Sequence, residues 1–319
     1  MAANCTIGID LGGTNIKGGV CDAAGGLLVT HEIETQAERG FEHVFARLLG
    51  LVDELLRKAG IGKADVAGIG LGTPGPLSHS RGIVYNAPNL PGWVNVPLRE
   101  RFSRATGLPV VLENDANAAA YGEYVAGAGK DVSSLVMLTL GTGIGGGIVL
   151  DGRLWRGADE SAGEIGHMVL VPGGRTCPCG QAGCLERYAS ANAVAERLVE
   201  AIRAGNACSL TADIERGRAV DARQVLRAAD AGDALAARIW DETCYYLALG
   251  CLSLERLLSP ELIVLAGGLT NAGRRLLEPV QTHFQKLRWH LMPATTRITF
   301  ATLGTEAGTI GAAALARSQ

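Results

Sequence analysis

Short apolar runs and amphipathic stretches alternate along the chain. Cys5–Ile9, Ile16–Cys21 and Leu27–Ile33 are apolar runs separated by turn-forming residues, and predict three strands. Phe41, Val44, Phe45, Leu48, Leu49, Val52, Leu55 and Leu56 then recur at three- and four-residue spacing. That spacing predicts a helix, ended by Gly60 and Gly62. Val66–Leu71 reads as the next strand, stopped at Gly72-Thr-Pro-Gly-Pro76, and Leu77–Pro97 as a long polar loop. Leu98–Thr106 reads as helix, Leu108–Leu112 as strand and Ala116–Val125 as helix. A second half opens near Ser134, with a cysteine-rich loop followed by helices through about Leu258. Leu262–Ala266 is then a strand, Asn271–Leu287 a helix, Ile298–Leu303 a strand and Gly308–Ala316 a small-residue helix that could pack on the first half. This mixture is an α/β protein with sheets covered on both faces.

One pattern occurs twice. Asp10-Leu-Gly-Gly-Thr-Asn-Ile-Lys-Gly-Gly19 and Thr139-Leu-Gly-Thr-Gly-Ile-Gly-Gly-Gly147 each place a Gly/Thr turn between two apolar strands. Glycine allows the backbone to come close to a ligand, and free N–H groups with a threonine hydroxyl can hold anionic oxygens. Asp10 beside such a turn suits a hydrated Mg²⁺. Internal repetition reveals architecture, and here it suggests two related halves with a nucleotide in a cleft between them. Gly141-x-Gly143-x-x-Gly146 also matches a dinucleotide pattern, but that pattern must open a helix, whereas Ile148-Val-Leu-Asp151 reads as strand.

Composition narrows the class. The 319 residues suffice for two domains, and with a net charge of −3 and no basic tract they do not favour a nucleic-acid partner. Met1–Cys5 has no charged region typical of a signal peptide. Ser133–Leu150 is uncharged and nearly long enough to span a membrane, yet its five glycines make two buried strands the better reading. The expectation is a cytoplasmic protein whose eight cysteines serve as thiols or metal ligands before disulfides.

Asn114-Asp115 sits where a strand meets a helix. A carboxylate there is favoured in its charged form and suits a general base, although a plain helix N-cap would look the same. His167 precedes Cys177, Cys179 and Cys184, a Cys₃His set with zinc-ligand chemistry in which protein fills all four positions, as in a structural site. Such a metal would hold Glu164, His167 and Glu186 together, with one imidazole nitrogen on the metal and the other available to a hydroxyl.

These stretches resemble the motifs of the ROK family (repressors, open reading frames, sugar kinases). Asp10–Gly19, Leu112–Ala118, Gly141–Gly147, Glu164–His167, Cys177–Glu186 and Ala266–Leu269 carry the resemblance over nearly the whole chain. It implies the actin-like ATPase (ribonuclease H-like) fold, with a small domain of residues 1–116 and 305–319 and a large one of 117–304. It implies ATP-dependent phosphorylation of a hexose at its 6-hydroxyl, most simply glucose. N-acetylmannosamine, N-acetylglucosamine, mannose and fructose remain open. By resemblance Asp115 is the base, and it binds sugar together with Gly72, Asn89, Asn114, Glu164, His167 and Glu186. Asp10, Gly12, Gly13, Thr14, Lys17, Gly141, Thr142 and Gly143 hold the phosphates of ATP and Mg²⁺, and Gly267 and Gly268 line the adenosine site. His167, Cys177, Cys179 and Cys184 bind structural zinc. Dimers or tetramers are implied. A sugar-sensing repressor of the same family needs a helix-turn-helix before the first strand, for which nine residues before Asp10 leave no room. A dead sugar-binding module is disfavoured because base and phosphate turns are both present.

Overall fold

The computed structural model describes residues 4–318 apart from Pro88, His290, Met292 and Ala294. The N-terminal reading at Met1–Ala3 lies outside them. The chain forms two compact units, residues 1–133, 147–163 and 302–319 in the first, and 134–146 with 164–301 in the second.

The first unit begins with β1 (Cys5–Leu11), β2 (Asn15–Cys21) and β3 (Leu27–Glu34), an antiparallel meander. α1 (Phe41–Ala59) follows. It buries Val44, Phe45, Leu48, Leu51, Val52, Leu55 and Leu56 on one face, each apolar side chain contributing roughly 1.5–3 kcal/mol relative to exposure. It ends at Gly60, whose φ of 66° is a left-handed conformation that suits glycine, and Ile61 N–H donates back to Leu56 O at 3.2 Å.

β4 (Val66–Thr73) lies parallel to β1. The stretch read as a long loop instead carries three short strands, β5 (Leu77–Ser78), β6 (Ile83–Asn86) and β7 (Val94–Val96), paired antiparallel. Glycine and proline cut this region into runs of two to four residues, too short to show a strand period. α2 (Leu98–Thr106), β8 (Val110–Asn114) and α3 (Asp115–Ala126) complete the run, and the sheet order is β3-β2-β1-β4-β8 with β8 parallel to β4.

β9 (Leu135–Leu140) and β10 (Ile144–Leu150) are the repeated hairpin, so the uncharged Ser133–Leu150 stretch is two strands. β10 carries the chain back into the first unit, where β11 (Arg153–Leu154) follows. The second unit then runs through α4 (Glu186–Ala189), α5 (Ala191–Arg203), α6 (Thr211–Glu215), α7 (Ala222–Asp230), α8 (Ala234–Leu258), β12 (Leu262–Ala266), α9 (Arg274–Leu287) and β13 (Arg297–Phe300). β12 is parallel to both β9 and β13, and the sheet order is β11-β10-β9-β12-β13. Both sheets thus place an antiparallel hairpin beside two further parallel strands. The helix expected from Asn271 starts at Arg274, because Gly273 with φ 55° separates it from a 3₁₀ turn over Gly268–Ala272.

α10 (Ala307–Arg317) returns to the first unit and packs on β1, β4 and α3. Small residues permit this closeness. A Cβ at Gly70 would sit 1.8 Å from Ala312 O, and one at Gly311 would sit 1.7 Å from Ala118 O. No helix among the described residues is long and apolar enough to cross a membrane.

Candidate active site

In the first unit the sheet register sets Lys17, Asp10, Gly72 and Glu113 side by side on β2, β1, β4 and β8. The adjoining turn closes through Gly12 N–H to Asn15 O at 3.0 Å. Buried Thr35 pins it, its hydroxyl donating to Gly12 O at 2.7 Å and its N–H to Thr14 O at 2.7 Å. Thr14 is left exposed at the tip. Asn89 lies against Gly13, whose added Cβ would be 3.1 Å from Asn89 Cβ.

Asp10 is only partly exposed. Burial pushes its carboxyl up to about 6; nearby Asp115 adds to the rise and Lys17 opposes it. Asp10 and Asp115 are therefore neighbours, though they come from opposite ends of this part of the chain. Gly72 adjoins both: a Cβ there would be 3.7 Å from Asp115 Cα. Two carboxylates in one partly buried place favour a cation between them and the solvent.

The helix cap at this point is Asn114. Its Oδ1 accepts from Ala116 N–H at 3.0 Å and Asn117 N–H at 3.2 Å. Asp115 is the first helical residue, with Oδ1 accepting from Ala116 N–H at 2.8 Å. The capping role that could have explained an acid here thus falls to the residue before it. Behind the turn lies Glu113, which is 2 % exposed and bonded to Arg156 Nε at 2.7 Å. Neither residue is among the site residues expected from the sequence. The available signal was a charged side chain ending the otherwise apolar run Val110–Leu112.

The second unit gathers its own set. Gly141 N–H donates to Gly143 O at 3.0 Å, and Thr142 is exposed at the tip as Thr14 is in the first unit. Glu186, at the start of α4, accepts from Ile144 N–H at 2.8 Å, and a Cβ on Gly143 would lie 2.4 Å from its Oε2. Gly166 presses on the same hairpin, a Cβ there falling 2.1 Å from Ile144 O. The Glu164–His167 turn and Glu186 therefore share one hairpin as support. His167 Nε2 stands 4.0 Å from Glu164 Oε2, while its Nδ1 is 3.7 Å from Cys177 Sγ. Cys179 Sγ is 3.7 Å from Cys184 Sγ, and all four donor atoms lie within 4.8 Å of one another. In a tetrahedron with metal–sulfur bonds of about 2.3 Å the ligand atoms are about 3.8 Å apart. The donor set and its spacing fit such an ion with the thiols unpaired.

Gly141, Thr142 and Gly268 line one cavity of about 520 Å³ together with Arg223, Arg227 and Trp240, a volume in the range of small-molecule sites. Gly267 adjoins it through the strand ends, a Cβ there lying 2.6 Å from Leu140 O. Arg223 and Arg227 were not singled out from sequence. Their signal is i, i+4 spacing on one amphipathic helix.

The sequence model of the ROK family matches residues 6–319. A glucokinase of Halalkalibacterium halodurans is 38 % identical over 320 residues, covering 100 % of this chain and 97 % of that one. The crystal structure of a ROK hexokinase from Thermus thermophilus superposes with a TM-score of 0.83 at 38 % identity, over 97 % of this chain and 96 % of that one. A ROK family glucokinase from Streptomyces griseus, solved with glucose and AMPPNP, gives a TM-score of 0.77 at 34 % identity over 99 % and 100 %.

Proposed function

The chain belongs to the ROK family and has its actin-like ATPase fold, and from that premise we propose that it is an ATP-dependent kinase converting glucose to glucose 6-phosphate. One observation carries the reading. Asp115 heads a helix capped by its neighbour and lies close to Asp10 at the Gly/Thr turn, so a base adjoins a phosphate- and cation-binding turn. The glucokinase names among its relatives support glucose as the acceptor.

In this reading Asp115 takes the proton of the 6-hydroxyl as that oxygen attacks the γ-phosphorus, and ADP leaves. Glucose and ATP yield glucose 6-phosphate, ADP and a proton. Gly72, Asn89, Asn114, Glu164, His167 and Glu186 hold the sugar. His167 Nε2, on the side away from the thiols, donates to or accepts from a hydroxyl. Gly12, Gly13, Thr14 and Lys17 hold phosphate from the first hairpin, Gly141, Thr142 and Gly143 from the second, and the cavity beside Gly267 and Gly268 takes the adenosine. Asp10 holds Mg²⁺, which supplies charge neutralisation on the phosphates when bound. The donor set His167, Cys177, Cys179 and Cys184 suits zinc in a structural role, since protein fills all four positions.

The test is an ADP-coupled assay over a panel of sugars with the purified protein. Glucose is expected to give the highest kcat/KM. A higher value with N-acetylmannosamine, N-acetylglucosamine, mannose or fructose would reassign the substrate, and no sugar-dependent ADP release at all would overturn the kinase.

A further inference from the structure

We propose that Arg156 is a positioning residue for the reaction, acting on Asp115 through Glu113. The inference rests on Asp115 being the base. Glu113 Oε1 accepts from Asn114 N–H and from Asn117 Nδ2, both at 3.0 Å. Those donors belong to the residue before Asp115 and the one two after it, so a single carboxylate oxygen brackets the base. The other oxygen accepts from Arg156 Nε at 2.7 Å. His79 Nδ1 donates to Leu112 O at 2.8 Å and stands 3.5 Å from Glu113 Oε2.

A carboxylate buried this deeply is costly without a fixed counter-charge, and Arg156 supplies it. Arg156 lies 43 residues beyond Glu113, on the loop after β11. The same loop holds the His79 stretch, since Glu160 accepts from Ser78 Oγ and Ser80 N–H, both at 2.8 Å. The network therefore fixes the point where β8 passes into α3; Asn114 is its one member from the proposed sugar set, and it joins through its backbone N–H. The price of loosening such a support is misplacement of the acceptor, and a shift of about 1 Å at a catalytic group can cost about 10²-fold in rate.

The experiment uses the full chain with saturating glucose and ATP–Mg²⁺, comparing Arg156→Gln, Arg156→Lys, Glu113→Gln and the double variant Glu113→Gln/Arg156→Gln. Arg156→Gln is expected to lower kcat by about 10–100-fold while both KM values stay within about twofold. Arg156→Lys, which keeps the charge and a donor, restores most of that loss. In the double variant no charge is left unpaired, so Tm returns towards wild type while kcat stays low. Should Arg156→Gln fail to fold, Glu113→Gln and the double variant carry the same comparison.

A kcat within twofold of wild type, or one that recovers in step with Tm in the double variant, would show a mere staple and overturn the proposal. Failure of the base itself is read separately. Normal turnover by Asp115→Asn defeats both readings, whereas an Asp115-dependent enzyme indifferent to Arg156 defeats only this one.

Discussion

The two Gly/Thr hairpins occupy equivalent places in two sheets of the same order, and they differ at one informative position. On β1 the residue in register with Gly72 of β4 is Asp10, whereas on β9 the residue in register with Ala266 of β12 is Thr139. The first hairpin thus carries a carboxylate, raised in pKa by its setting and accompanied by Asp115. The second is neutral at that point, and its neighbouring acid Glu186 is engaged by Ile144 N–H. In the proposed reading the repeated scaffold divides its tasks. One copy suits a cation and a base, the other phosphate oxygens beside a cavity.

The difference between the hairpins is tested first at Asp10. Asp10→Asn is expected to lower kcat by about 10²–10³-fold, the loss typical of removing one electrostatic group. The same change should stabilise the metal-free protein. The folded pKa of about 6 lies above the reference 3.8, so the folded state binds this proton more tightly than the unfolded state. Stability from this group is therefore highest below pH 4, falls as pH rises towards 6 and stays low above it. The difference between Asp10→Asn and wild type in urea melts should grow over that window to about 2–3 kcal/mol at pH 7.5. Taking the difference cancels carboxylates with the opposite trend, such as Asp233, held down to about 2 by backbone donors at its helix cap despite burial. A variant that is less stable at pH 7.5 would show that the Asp10 carboxyl is not strained by its burial.

A smaller effect sharpens the other side. Removing metal by chelation, or by Cys179→Ser, should raise the glucose Kd about tenfold, as losses around ligand-orienting groups do. ATP affinity should change by less than that, because the 520 Å³ cavity uses other residues. Calorimetry with metal analysis checks both, and metal-free protein with full glucose affinity would remove the loop from the sugar site.

Much of this was legible in the sequence because the signals were local. Strands flanking Gly/Thr turns, the heptad-like face of α1 and the Cys₃His spacing each need only a short window. The duplication was legible too, since both turns repeat the same residue types. What could not be read depends on partners far apart in the chain. Asp10 and Asp115 meet only through the β1-β4-β8 register, and Glu113 meets Arg156 through a loop. The three short strands within 77–97 were hidden because each is too brief to show a period. Arg223 and Arg227 were hidden because a solvated helix face looks the same as a cavity wall until the fold brings Gly268 against it.

Whether the first hairpin serves a base at Asp115 is decided by Asp115→Asn, with turnover and glucose binding measured on the same preparation. The expected result is a kcat lower by about 10²–10⁴-fold with glucose still bound at close to wild-type affinity. Turnover near wild type, with binding intact, would contradict it.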